Sequence, residues 1–238
     1  MKKLGVIGGL GPMATAYFYQ LVVQMTDAAT DQEHFETIIY SNPLTPDRTG
    51  FILGRSSDDP MPYLLRSGLE LKRQGMDVIA VPCMTAHFFQ QRLETELGVK
   101  VIHAIQEAGR HLKQVGINKV GVIATDGTVE TGLFQDAMSQ FGIECLMPDA
   151  SRQKNVMHLI YDDIKAGKPA EMDIFHDISD SLFERGAQAV LLGCTEISLI
   201  KRDHELGKGF LDVMEVLAQQ SVLTCGKLRK EYEELISE

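Results

Sequence analysis

The chain lacks any surplus of basic residues: Lys and Arg total 23 against 33 Asp and Glu, for a net charge of −10. A nucleic acid or an anionic membrane wants a basic face, so neither is expected as a partner. A small anionic substrate stays open, because a few local cations override a diffuse field. Cysteine is scarce as well. Four cysteines in 238 residues, with no close pair, do not make a disulfide framework, and a reducing cytoplasm is the simpler compartment. No stretch approaches the ~18 uninterrupted apolar residues of a spanning helix. Lys2-Lys3, an apolar run and Ala14-Thr15-Ala16 superficially resemble an export signal. However, Gly5, Gly8, Gly9, Gly11 and Pro12 interrupt the run and apolar residues continue through positions 17–25, which reads as strand, glycine turn and helix.

One further absence bears on cofactors. Gly9-Leu-Gly11-Pro-Met-Ala14 has the spacing of a dinucleotide fingerprint, but the second strand ends Ile39-Tyr-Ser-Asn42 without the acid that would hold a ribose. Pro12 also removes a backbone N–H from the anion cradle. The turn at Leu10 and Gly11 is instead read as a close backbone approach, able to receive a carboxylate at a helix N-terminus. No cofactor is expected.

What is present is a repeated pattern. Asp77–Val81 reads as a buried strand, broken at Pro82, with Cys83 on the turn and Thr85-Ala86 opening a helix. Ala189–Leu192, Gly193, Cys194, Thr195 and Glu196 do the same 111 residues later. Each copy follows a helix and a glycine turn, and Lys3–Ile7 resembles Lys119–Ile123. Residues at the carboxyl ends of parallel strands lie where open α/β sheets bind ligands. One cysteine per half therefore suggests a site drawn from both halves.

In chain order, strands are expected at 4–7, 37–40, 77–81, 99–103, 119–124, 143–147 and 189–192. Helices are expected at 13–28, 62–74, 85–97, 105–115, from 131, and at 153–166, 171–185 and 213–236, with 41–49 a loop. Alternating strands and short-looped helices predict an α/β fold of parallel sheets, and the weak duplication predicts two similar domains meeting face to face. The domains are placed at 1–103 plus 209–238, and at 104–208.

Cys145 and Cys225 read as small core residues. Cys83 and Cys194 differ, because each precedes helix-opening residues whose dipole would lower a thiol pKa. A metal held by Cys83, His87 and Cys194 lacks the usual close pairs, so none is expected. His87, four residues beyond Cys83, reads as a structural hydrogen-bonder rather than a base. Arg48, in a proline-rich loop, is a candidate bidentate carboxylate clamp, and Lys165 a weaker one; either is otherwise a surface charge.

These residues resemble the aspartate/glutamate racemase family of cofactor-independent amino-acid racemases, over essentially the full length and closest to aspartate racemase. The resemblance rests on Gly8-Gly-Leu-Gly-Pro12, Ala14-Thr15, Asp31-Gln-Glu-His34, Asn42-Pro43, Pro46-Asp-Arg-Thr49, Ile52-Leu-Gly54, Pro82-Cys83-x-Thr-Ala-His87 and Gly193-Cys-Thr-Glu196. It implies two flavodoxin-like domains related by a pseudo-twofold axis, a substrate held between them, and a homodimer. It further implies Cys83 and Cys194 as the acid/base pair at Cα, Arg48 on one carboxylate and Lys165 on a second. Thr85 and Thr195 would hydrogen-bond the substrate, with Leu10, Gly11, Met84 and Glu196 completing its surroundings. The family motif has Asn where Met84 stands, so substrate identity is the point most open to change. On this reading the chain racemises an acidic amino acid, aspartate before glutamate. A hydantoin-racemase or maleate-isomerase type of reaction, and a non-catalytic small-ligand binder, are the alternatives.

Overall fold

A computed structural model describes residues 1–237. Eight strands form two four-stranded sheets, parallel throughout. The first contains β1 (Leu4–Gly8), β2 (Thr37–Ser41), β3 (Val78–Ala80) and β4 (Lys100–Val101), in the order β2-β1-β3-β4. The second contains β5 (Lys119–Ile123), β6 (Glu144–Leu146), β7 (Ala189–Leu192) and β8 (Phe210–Asp212), in the order β6-β5-β7-β8. The chain divides into two compact units, Met1–Ala104 with Glu215–Leu235, and Ile105–Met214 joined by Ile236 and Ser237.

The central strands form because their residues can be buried on both faces. All of β1, β3 and β7 is buried, as parallel strands covered by helices require. In the first unit Ile7, Ile79 and Val101 pack with Leu64, Leu71, Leu93 and Leu97 from the helices Met61–Arg73 and Gln90–Leu97. In the second, Ile123, Val190 and Leu192 pack with Phe175, Ile178 and Leu182 of the helix Met172–Glu184. Each such side chain contributes about 1.5–3 kcal/mol by leaving water. Cys83 and Cys194 belong to these same two clusters.

Four differences from the sequence reading have local causes. Residues 41–49 do not stay irregular: Asp47 caps a five-residue helix, Arg48–Ile52, its Oδ2 accepting the Gly50 N–H at 2.6 Å. The segment after Cys83 is a 3₁₀ turn over Met84–Phe89, and the α-helix begins only at Gln90. The last helix ends at Cys225, because Gly226 lies against the Phe35 ring and the chain then crosses to Met25–Asp27. There the Arg229 N–H donates to the Met25 carbonyl at 2.9 Å. Finally, Phe210–Asp212 forms a short strand paired with β7, where no strand was expected, because its three residues are all buried. Among the described residues no helix is long and apolar enough to cross a membrane.

Candidate functional site

In both sheets the strand order reverses at the centre, between β1 and β3 and between β5 and β7. The turns leaving those four strands are where an open parallel sheet receives ligands. They carry most of the residues singled out in the sequence.

In the first unit β1 leads into Gly9, whose φ of +87° suits glycine and whose α-carbon lies close to the Asn42–Pro43 backbone. The Gly9 N–H donates to Thr15 Oγ1 at 2.9 Å, and that hydroxyl donates to the Gly11 carbonyl at 2.9 Å. Gly11 caps the helix Pro12–Met25, with Pro12 in the position where a missing N–H costs least. Arg48 is buried, and its guanidinium donates to the carbonyls of Leu10 at 2.7 Å, Pro46 at 3.1 Å and Thr45 at 3.4 Å. Arg48 thus ties the glycine turn after β1 to the loop after β2.

After β3, Cys83 is 5% exposed and caps the 3₁₀ turn. Its N–H donates to the Val81 carbonyl at 2.8 Å, and its carbonyl accepts the Ala86 N–H at 3.1 Å. Met84 and Thr85 are buried next to it. His87 turns away from the thiol: Nδ1 lies 2.7 Å from Gln90 Oε1 and Nε2 lies 3.2 Å from the Val81 carbonyl. Gln90 in turn donates to the Val101 carbonyl at 3.0 Å. Burial, aided by the charge of His103, holds the His87 pKa down to about 4, so the ring is neutral and structural and donates from only one of its two nitrogens.

In the second unit Cys194 is 6% exposed and caps the helix Thr195–Asp203. Its Sγ donates to Glu196 Oε2 at 3.0 Å, and the Thr195 hydroxyl reaches the same oxygen at 3.4 Å. The other oxygen, Oε1, lies 3.8 Å from Lys165 Nζ, which also sits 4.5 Å over the Tyr161 ring. The expectation of a helix-lowered thiol is corrected here. Burial first, and then the Glu196 charge, push Cys194 well above the ordinary thiol range; Lys165 and the Glu196 N–H oppose this and do not prevail. Buried Ser198 and Asp212 brace the site, the Ser198 hydroxyl donating to Asp212 Oδ1 at 2.7 Å.

Cys145 and Cys225 are free thiols outside these turns, pushed up by burial to about 12 and about 11. Thr125 and Thr128, which are not among the candidates drawn from the sequence, are buried in the turn after β5 with their hydroxyl oxygens 3.0 Å apart. The likeness of Lys119–Ile123 to Lys3–Ile7 is the signal for them, since it makes this turn the second unit's counterpart of Gly9–Pro12. Gln153 joins it by donating to Asp126 Oδ1 at 2.9 Å and to the Ala124 carbonyl at 3.0 Å. Among the described residues, one cluster has metal-ligand side chains close together: His158, Asp163 and Glu171. Ion pairs between the imidazole and the carboxylates account for their proximity.

Comparison with known proteins agrees with this layout. Residues 7–221 match the model of the Asp/Glu/hydantoin racemase family. The solved aspartate racemase of Picrophilus torridus superposes with a TM-score of 0.81 at 27% identity, covering 98% of each chain. The broad specificity amino-acid racemase RacX of Bacillus subtilis is 25% identical over 230 residues, 93% of this chain and 97% of that one. A glutamate racemase of Aquifex pyrophilus is 28% identical over 172 residues, 71% of this chain and 65% of that protein. With the family model spanning most of its length, the chain belongs to the Asp/Glu/hydantoin racemase family and is an isomerase of the racemase type.

Proposed function

We propose that the protein racemises an acidic amino acid, aspartate before glutamate, without a cofactor, using Cys83 and Cys194 as the two acid/base groups at Cα. The observation that carries this reading is the Cys194 thiol bonded at 3.0 Å to the Glu196 carboxylate. A racemase must take a proton from one face of Cα and return one to the other, so one group must arrive as a base and the other as an acid. Cys194 rests as the acid, because burial and Glu196 disfavour its thiolate. In the direction that starts from this form, the Cys83 thiolate accepts the Cα proton and Cys194 supplies one to the opposite face. In the reverse direction the Cys194 thiolate left by that step accepts the Cα proton and the Cys83 thiol returns one to the opposite face, while Glu196 is placed to relay a proton to or from Cys194 as the free enzyme resets.

Charge on the deprotonated substrate must be met by donors already in place. Arg48, with the Leu10–Gly11 turn and the N–H groups around Met84 and Thr85, is proposed to meet the α-carboxylate, and Thr195 to hydrogen-bond the amino acid. Lys165 is the proposed partner of a second carboxylate, which favours dicarboxylic substrates. A wider substrate range is the second reading. It is favoured by buried Met84, which cannot donate a side-chain hydrogen bond, and by the name of the Bacillus subtilis relative. A homodimer and a cytoplasmic location complete the proposal, the former measurable by light scattering.

Incubation of L- and D-aspartate in D2O tests the reading. Deuterium should enter Cα of both enantiomers as optical purity is lost. Cys83→Ala and Cys194→Ala should each abolish interconversion, and undiminished racemisation by either variant would remove that cysteine from the mechanism. Optical purity lost faster with neutral amino acids than with aspartate would favour the wider range.

A further inference from the structure

Lys165 owes its place to an unusual turn. The helix Ala150–His158 runs into a wider coil over Leu159–Ile164, in which the Lys165 N–H donates five residues back to the Ile160 carbonyl at 3.0 Å. Such widened turns are rare and concentrate at functional sites. The five-residue period brings His158 into line with Asp163. His158 Nδ1 lies 3.0 Å from Asp162 Oδ2, while Nε2 lies 3.0 Å from Glu171 Oε1 and 3.7 Å from Asp163 Oδ1. Both ring nitrogens face carboxylates, and only an imidazolium donates from both.

Asp163 is 4% exposed, and a buried carboxylate needs a compensating partner. Its Oδ2 also accepts the Glu171 N–H at 3.3 Å, and its own carbonyl accepts the Lys168 N–H at 2.9 Å. The four groups therefore close the loop from Lys165 to Glu171 back onto the turn that presents Lys165 to Glu196.

We propose that His158 is a positioning residue whose charged ring, clamped by Asp162, Asp163 and Glu171, holds the widened turn so that Lys165 stays aimed at the distal carboxylate of an acidic substrate. The part concerning substrate rests on the role given to Lys165 above. The groups facing His158 are Asp162 and Asp163 from the turn and Glu171 from the start of the next helix; all three are acidic. They raise its pKa above 6.5, chiefly through the hydrogen bonds to Glu171 and Asp162. The clamp is complete below pH 6.5 and is lost as pH rises through the raised value.

The test uses the full-length enzyme with aspartate and with alanine, which lacks a distal carboxylate, across pH. In the wild type KM for aspartate should climb on the alkaline side while KM for alanine stays level. His158→Gln should raise KM for aspartate about tenfold below pH 6.5, equivalent to one charge-assisted contact, and converge with the wild type at alkaline pH, with kcat little changed. Glu171→Gln, at the exposed side of the clamp, should move the midpoint of the wild-type climb to lower pH. Independently of any substrate, reductive methylation of Lys165, followed by mass spectrometry, should speed up in His158→Gln while that of Lys154 does not. Lys165 methylation and an aspartate-to-alanine KM ratio both unchanged in His158→Gln would overturn the proposal, even if the variant melted earlier. Faster methylation with an unchanged ratio, together with an unchanged ratio in Lys165→Ala, would uphold the clamp and sink the substrate role of Lys165.

Discussion

The Cys194 thiol and the Glu196 carboxylate lie 3.0 Å apart, two residues from each other at the start of one helix, and both are nearly removed from solvent. This contact sets two opposing demands. The carboxylate holds the thiol protonated, yet it is also the group placed to take that proton. Glu196→Gln separates the two. With the negative charge gone, the Cys194 thiol should titrate at lower pH, as followed by ultraviolet thiolate absorbance. Racemisation should nonetheless fall about a hundredfold, the usual scale for losing a positioned acid/base group. Unchanged turnover would leave Glu196 with no part in proton transfer.

His87 predicts an acid-labile fold. The ring is neutral in the native protein down to about pH 4, whereas an unfolded histidine takes up a proton near 6.5. The unfolded state binds more protons between those values, so stability is full above pH 6.5 and declines as pH falls toward about 4. The loss attributable to this residue is about 3 kcal/mol. Denaturant midpoints measured over this range should show the decline in the wild type. His87→Gln should be less stable at neutral pH but flatter in its pH course.

Gly9→Ala should be severely destabilising. A methyl group there would lie 2.5 Å from the Asn42 N and 2.8 Å from the Pro43 N, both backbone atoms that cannot swing aside. The φ of +87° adds strain of about 1–3 kcal/mol for any other residue. Because Arg48 is bonded to Leu10 in the same turn, residual folded enzyme should also show a raised KM. Thermal melting and steady-state kinetics check the two effects together.

Met84→Asn would place an amide beside Cys83 where a buried thioether now stands. Met84 is 1% exposed, so an amide there costs about 1–3 kcal/mol unless it finds partners. The expected outcome is a lower melting temperature that recovers on adding aspartate, with kcat/KM for acidic amino acids rising relative to neutral ones. A lower melting temperature with an unaltered substrate ranking would make Met84 a packing residue only.

Much of this architecture is legible locally. The runs Leu4–Gly8, Val78–Ala80 and Ala189–Leu192 announce buried strands because nearly every residue in them tolerates burial on both faces. The helix Arg48–Ile52 was hidden by Pro43 and Pro46, although Asp47 with Gly50 three residues on is a capping signal. The end of the last helix was hidden for another reason. Its cause is the Phe35 ring and the Met25–Asp27 backbone, both far away in sequence.

The sequence by itself determined the repeated strand–turn–cysteine pattern, the parallel α/β class and the residues placed at strand ends, since these depend on periodicity and on chain turns a few residues long. Only the tertiary structure decided which charges meet. Lys165 reaches Glu196 through a widened turn, Arg48 reaches Leu10 across two loops, and the sign of the Cys194 shift comes from burial beside a carboxylate rather than from its helix. Electrostatic energies depend on distance and on solvent exclusion, and neither is written in the order of residues along a chain.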